Sequence, residues 1–173
     1  IISACEYFVD LFRSNNIETE YSIIRNAVDH DMINNREEKF NDKEINIFYS
    51  GGTRNVKGWD ILLDAIRMLD QKNYDFKVNF LRDVPPNHEI RHFVSDNGLE
   101  DQSRFLGYCG RDVYLDYMHS SDIVCLPSYT EGIASSIMDA LALGKPIVAT
   151  NVGGTPEIIE HKKNGYLCEL DST

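Results

Sequence analysis

Short apolar runs alternate with amphipathic segments along most of the chain, and this alternation limits the fold more than any other feature. The apolar runs predict strands at 45–50, 76–81, 105–106, 123–126 and 165–168, and a further strand after the helix that Gly144 and Pro146 end. The segments between them predict helices that begin near residues 59, 87, 113 and 133. Because strand and helix alternate, we expect an α/β domain of three layers, with a mainly parallel sheet covered on both faces.

Segments outside this alternation also carry expectations. Residues near 3–14 predict an amphipathic helix, and residues 21–24 predict a short strand. Residues 34–44 are charged and polar, which predicts a solvated loop. Thr155-Pro156-Glu157 combines a capping residue, a first-turn proline and an acid, the pattern with which a helix begins.

The segment from Pro127 to Glu157 carries the strongest indication of a ligand site. Ligands of open parallel sheets bind beyond the carboxyl ends of strands, and this segment follows the strand that ends at Leu126. On its helix, Ser135, Ser136 and Asp139 share one stripe that is turned away from the apolar face. The unpaired N–H groups of the first helical turn suit a phosphate, and a carboxylate roughly 6 Å deeper suits ribose hydroxyls.

The letters of this segment, PSYTEGIASSIMDALALGKPIVATNVGGTPE, resemble the family 4 glycosyltransferases of the GT-B fold. Their signature is two glutamates separated by seven residues. The resemblance implies that Glu131 contacts the transferred sugar as the catalytic residue and that Asp139 contacts the ribose. It also assigns Gly132 and Ile133 to the donor site. Aspartate is one methylene shorter than glutamate, so the reach of Asp139 falls by about 1.5 Å.

The loop at 51–58 is a second candidate for contact with the donor. A lone lysine before a helix is ordinarily solvated, although Lys57 at this place can also put an ammonium on a diphosphate. The family carries G-R-L-x-x-x-K-G here, with arginine and lysine both on the diphosphate. Lys57 and Gly58 fit this pattern, but Gly52 stands where the arginine is expected. Arg54 either supplies the missing charge or faces solvent.

Two further loops have a functional and a structural interpretation. Tyr108 and Cys109 resemble the family segment whose backbone borders the nucleotide base, and an ordinary turn with a partly buried aromatic explains them equally well. Residues 25–29 resemble the N-G-V-D segment that opens the C-terminal domain of the family. Asp29-His30-Asp31 has the letters of a metal-binding D-x-D motif, but its context favours a loop turn, and we expect no metal site.

Composition narrows the class of partner. A formal net charge of -11 with no basic stripe argues against a nucleic-acid partner. Four widely spaced cysteines indicate neither a disulfide framework nor a zinc site, and no segment has the length of a membrane span. These features predict a cytoplasmic protein, which leaves open a position at the inner face of a membrane.

The resemblance implies a single Rossmann-like donor-binding domain over residues 1–173, the C-terminal half of a GT-B enzyme whose N-terminal domain lies outside this sequence. Such an enzyme transfers a sugar from a nucleotide diphosphate donor to an acceptor hydroxyl with retention of configuration, and it needs no cofactor. A glycan or lipid-linked acceptor would bind through the N-terminal domain. The alternative is a non-catalytic nucleotide-sugar-binding or regulatory module, since Ala27, Gly52 and Asp139 depart from the family pattern.

Overall fold

The structure is a computed structural model that describes residues 1–40 and 43–170. Its strands are β1 (Ile2–Ser3), β2 (Ser22–Ile23), β3 (Ile45–Tyr49), β4 (Phe76–Leu81), β5 (Ser103–Gly107), β6 (Ile123–Leu126), β7 (Ile147–Thr150) and β8 (Tyr166–Cys168). Its helices are α1 (Glu6–Ser14), α2 (Trp59–Gln71), α3 (Glu89–Asp96), α4 (Arg111–Ser120) and α5 (Ser135–Ala142). The predicted alternation of strand and helix is therefore confirmed from β3 to β7.

Six of these strands form one parallel sheet in the order β5-β4-β3-β6-β7-β8. Counted from β3, this is the doubly wound strand order of the Rossmann fold. The order reverses between β3 and β6, so the chain leaves these two neighbours in opposite directions. The reversal opens a crevice at their carboxyl ends, where open α/β sheets bind ligands.

Helices cover both faces of the sheet, as the three-layer prediction requires. On one face, Leu63 and Ile66 of α2 and Ile90 of α3 pack with Phe80 of β4. On the other face, Met118 of α4 and Ile137 of α5 pack with buried residues of β3, β6 and β7. Each helix presents one apolar stripe to the sheet, and burial of these stripes holds the layers together.

The amino-terminal part of the chain differs from expectation. The predicted helix at 3–14 begins only at Glu6, because Ile2 and Ser3 pair in parallel with Ser22 and Ile23 in a separate two-stranded sheet. The predicted helix at Thr155 is a single 3₁₀ turn that ends at Glu157. The Glu157 carboxylate accepts hydrogen bonds from the backbone N–H groups of Glu6 and Tyr7, so it caps α1.

The predicted solvated loop at 34–44 is instead attached to α4 over the part that the structure describes. Arg36 lies 3.4 Å from the Asp112 carboxylate and 3.6 Å from that of Asp116. The N–H of Lys39 donates to Ser120 Oγ at 2.6 Å. These contacts were missed because the partners lie more than 70 residues away along the chain. Residues 41–42 of the predicted loop lie outside the described residues.

Within the described residues, every helix falls short of the length and apolarity that crossing a membrane would require.

We predict that the cap supplied by Glu157 makes stability depend on pH. Burial raises the pKa of this carboxyl, but the N–H groups of Tyr7 and Glu6 and the Arg25 guanidinium outweigh it and hold the pKa below its usual value. The stabilisation is therefore complete above the unfolded pKa and is lost as pH falls through the depressed folded pKa. Glu157→Gln should lower the free energy of unfolding by about 0.5–2 kcal/mol at pH 7 and by much less at about pH 3.

Urea unfolding of the two proteins at both pH values measures this effect. Glu160→Gln is the matched control, because Glu160 is exposed. Among the contacts described, its carboxylate pairs only with Lys163, three residues along the chain. An equal loss at both pH values would show that the charge of Glu157 contributes nothing.

Candidate functional site

A cleft of about 450 Å³ lies at the reversal of strand order, between the loops that follow β3 and β6. Six of the predicted donor-site residues line it: Gly52, Arg54, Lys57, Tyr108, Ser135 and Ser136. Arg82, Asp83 and Tyr114 also line it and were missed from the sequence. Arg82 directly follows β4. Its position at the carboxyl end of a strand is the signal that could have identified it.

Backbone contact brings the two main loops together. Gly58 has φ +63°, and a Cβ there would lie 1.8 Å from the carbonyl oxygen of Pro127. The N–H of Tyr129 donates to the carbonyl of Val56 at 3.0 Å. Glycine is therefore needed at 58 both for its backbone conformation and for this approach.

Lys57 and Glu131 form an ion pair at the cleft. Lys57 Nζ lies 2.5 Å from Glu131 Oε1, and Ser128 Oγ donates to the same oxygen at 2.7 Å. Glu131 is only 9% exposed and Ser128 is fully buried. The hydrogen bond from the buried Ser128 hydroxyl therefore fixes the position of the carboxylate. The pair connects the predicted diphosphate residue directly to the predicted sugar residue.

Gly132 and Ile133 follow Glu131 and are used for packing. A Cβ on Gly132 would lie 2.7 Å from the ring of Phe8 on α1. Ile133 is buried, and its carbonyl accepts a hydrogen bond from Asn26 at 3.4 Å. Their predicted contact with the donor stays a prediction.

Asp139 lies on the predicted stripe of α5, but it is paired with Arg111 of α4. Arg111 Nη1 donates to Asp139 Oδ2 at 2.7 Å and Nη2 to Oδ1 at 2.5 Å. The hydrogen bond to Asp139 raises the pKa of Arg111 against the opposing effect of burial. Arg111 was missed, although a cation at the first residue of a helix, where an acid is favoured, is an indication that it has a specific partner.

A side cavity of about 230 Å³ adjoins the cleft and is lined in part by the predicted base loop. Cys109 and Arg111 line this cavity, and Tyr108 and Arg82 line both the cavity and the cleft. Burial raises the pKa of the Cys109 thiol above its usual value, although the positive charge of Arg82 opposes this rise. Tyr108 is 82% exposed, so its ring is open to a ligand, and the alternative interpretation as a partly buried aromatic is wrong.

The charges of the cleft favour an anion. Lys57, Arg54 and Arg82 bring three cations to its lining against the acid Asp83, and Glu131 beside the lining pairs with Lys57. Arg54 is exposed, and Arg82 Nε donates to the carbonyl of Ser50 at 3.0 Å. The amino-terminal turn of α5 adds free N–H groups beside Ser135 and Ser136. This arrangement suits a phosphate or diphosphate.

Asp29-His30-Asp31 forms a turn. A 3₁₀ helix spans His30–Ile33, and Asp29 Oδ1 accepts from the N–H of Asp31 at 3.0 Å. The part of the chain that the structure describes contains no group of three acidic, histidine or cysteine side chains placed to hold a metal ion.

Comparison with known proteins gives the following matches. The family model described as glycosyl transferases group 1 matches residues 31–172. An uncharacterized glycosyltransferase of Haemophilus influenzae is 35% identical over 117 residues, which are 67% of this chain and 33% of that protein. The amylovoran biosynthesis glycosyltransferase AmsK of Erwinia amylovora is 31% identical over 117 residues, covering 64% of this chain and 29% of that protein.

Among solved structures, that of Anabaena HepE in complex with UDP superimposes with a TM-score of 0.83 at 22% identity. The match covers 97% of this chain and 49% of the Anabaena chain. The match thus spans about a third of the length of these two relatives and about half of that structure.

We predict that Gly153 is required to place Glu131. Gly153 has φ +56°, a Cβ on it would lie 1.7 Å from the carbonyl oxygen of Glu131, and the next N–H donates to that oxygen at 3.2 Å. Gly144→Ala is the matched control, because Gly144 has φ +67° and open space around its Cβ. Gly144→Ala should cost about 1–2 kcal/mol of backbone strain, and Gly153→Ala should cost that strain plus the steric overlap.

The difference is measured as free energies of unfolding in urea for the two variants. Equal losses would mean that the backbone contact between Gly153 and Glu131 is not a constraint on the site.

Proposed function

This chain belongs to the glycosyl transferases group 1 family, and from that premise we propose that residues 1–173 are the donor-binding domain of a retaining glycosyltransferase. In this proposal the intact enzyme transfers a sugar from a nucleotide diphosphate donor to an acceptor hydroxyl. The product is a glycan or polysaccharide, as the name of the Erwinia relative indicates for that protein.

The observation that carries the proposal is the convergence of cations and a helix amino terminus on one cleft. Lys57, Arg54 and Arg82 line it together with Ser135 and Ser136 at the start of α5. Charge-assisted hydrogen bonds and free N–H groups are the usual means of holding a phosphate. The UDP bound to the Anabaena protein supports the same class of ligand for a protein of this fold.

The same groups suit the chemistry of the leaving group. As the bond from sugar to diphosphate breaks, negative charge grows on the diphosphate, and preorganised cations stabilise that charge more than the ground state. Of these cations, Lys57 is held in place by Glu131. In our proposal the protein groups provide this stabilisation without a metal ion or other cofactor.

Glu131 is proposed to orient the sugar. Both described contacts of its carboxylate, from Lys57 and Ser128, engage Oε1, so we assign Oε2 to the sugar hydroxyls. A bound diphosphate draws the Lys57 ammonium partly away from Glu131. Loading of the donor therefore changes the charge that surrounds the carboxylate at the moment when the sugar arrives.

The acceptor is proposed to bind to the part of the enzyme outside this sequence, because the donor residues named above account for one wall of the cleft. The isolated chain should then bind nucleotide diphosphates and transfer nothing, since exclusion of water needs the other wall. We propose a cytoplasmic enzyme, at the inner face of a membrane where the acceptor is lipid-linked.

One observation favours the alternative of a non-catalytic nucleotide-sugar-binding module. The acid expected to face the ribose, Asp139, is buried and paired with Arg111. Turnover by the full-length protein with a nucleotide sugar distinguishes an enzyme from a binding module.

We predict that Lys57→Ala weakens binding of nucleotide diphosphates to the isolated chain by about 1.5–3 kcal/mol, the range for a hydrogen bond to a charged group. Binding of the free nucleoside should barely change, since it has no diphosphate. Isothermal titration with UDP, GDP and ADP and with uridine, guanosine and adenosine, each with and without a chelator, measures both effects.

Lys72→Ala, at the exposed end of α2, is the control for loss of one positive charge. Glu131→Gln is the opposing variant, because it frees the Lys57 ammonium and should leave UDP affinity equal or higher. Failure of all three diphosphates to bind, or equal weakening by the variants at 57 and 72, would refute the proposed site.

A further inference from the structure

We infer that Arg111, and not Asp139, contacts the ribose of the donor, and that Asp139 is the residue that positions Arg111. This inference rests on the proposed function and deepens it. The family resemblance places an acid, Asp139, on the ribose. The structure of this chain leads to the opposite assignment of the two residues.

Asp139 is not available to a ligand in this arrangement. It is 2% exposed, and each of its carboxylate oxygens accepts a hydrogen bond from Arg111. Its side chain also ends about 1.5 Å short of where a glutamate would end. A ribose hydroxyl could reach this carboxylate only after Arg111 had moved away and left a buried charge without its partner, which is costly.

Arg111 is available and fixed. Its side chain is 42% exposed and lines the side cavity beside Tyr108 and Cys109. Asp139 takes one N–H from each terminal nitrogen, so one N–H on each, together with that of Nε, is left for other acceptors. The guanidinium also lies 5.5 Å from the centre of the Tyr114 ring, which restricts it from a second side.

The position of the cavity identifies the ribose as the group that meets Arg111. Ser135, at the phosphate-binding end of α5, lines both the cleft and the side cavity. Tyr108 and Cys109, in the predicted base loop, line the same side cavity. In a nucleotide the ribose lies between the diphosphate and the base, and its hydroxyl oxygens accept hydrogen bonds from a guanidinium.

The two assignments differ in polarity and can therefore be distinguished. A carboxylate accepts hydrogen bonds from ribose hydroxyls, whereas a guanidinium donates to them. Removal of Arg111 abolishes the contact under our assignment. Under the opposite assignment, the same change uncovers the Asp139 carboxylate and preserves or strengthens the contact.

The test compares dissociation constants of UDP, GDP and ADP with those of their 2′,3′-dideoxy forms. The wild-type chain should prefer the ribose form of the nucleotide it binds by about tenfold or more, as for a hydrogen bond to a charged group. Arg111→Gln should bring this preference close to one, and Arg111→Lys should retain part of it. Asp139→Asn should reduce it, because Arg111 loses its anchor.

Two controls separate recognition from structural damage. Arg67→Gln removes another arginine of similar exposure that pairs with a nearby acid, Asp64, and should leave the preference unchanged. Affinity for pyrophosphate should stay the same in Arg111→Gln, because a purely structural role would disturb the diphosphate site as well. If Asp139→Asn does not fold, the two substitutions of the half-exposed Arg111 decide the question.

A preference that survives Arg111→Gln and disappears in Asp139→Asn would overturn the inference and return the ribose contact to the acid. A nucleotide that binds with no preference for its ribose form would overturn this inference and leave the proposed function standing. Failure of all three nucleotides to bind would remove both.

Discussion

The reversal of strand order between β3 and β6 is the constraint on which the site depends. The chain leaves β3 for α2 on one face of the sheet and leaves β6 for α5 on the other face. The carboxyl ends of the two strands therefore remain open side by side, and the loops that follow them line the cleft. The cations of the cleft come from the loop after β3 and from the one after β4, the neighbour of β3.

Two acid–base pairs keep the site in order. Lys57 is held by Glu131, and Arg111 is held by Asp139. In each pair the acid is buried and the cation is partly exposed, so the acid fixes the position of the cation and the cation faces the cavity. Buried acids thus hold cations at the cleft and at the side cavity, in a chain whose own net charge is -11.

Much of the fold follows from local sequence, because strand and helix patterns are short-range and the strand order decides where loops meet. The cleft residues Ser135 and Ser136 were predicted for that reason, whereas Lys57 was predicted from the family resemblance. Contacts between distant segments were not predictable, since no local pattern encodes them. The partner of Asp139 is 28 residues away on another helix, and the cap of α1 is Glu157, about 150 residues away.

The central claim is that a diphosphate binds in the cleft between β3 and β6. Titration of the ¹⁵N-labelled chain with pyrophosphate, which contains the part common to all nucleotide diphosphate donors, tests it by mapping amide chemical-shift changes. We predict the largest changes at Gly51, Gly52, Ser135 and Ser136. Largest changes near Lys145 and Gly165, which lie at the amino ends of β7 and β8, with little effect in the cleft, would contradict the account.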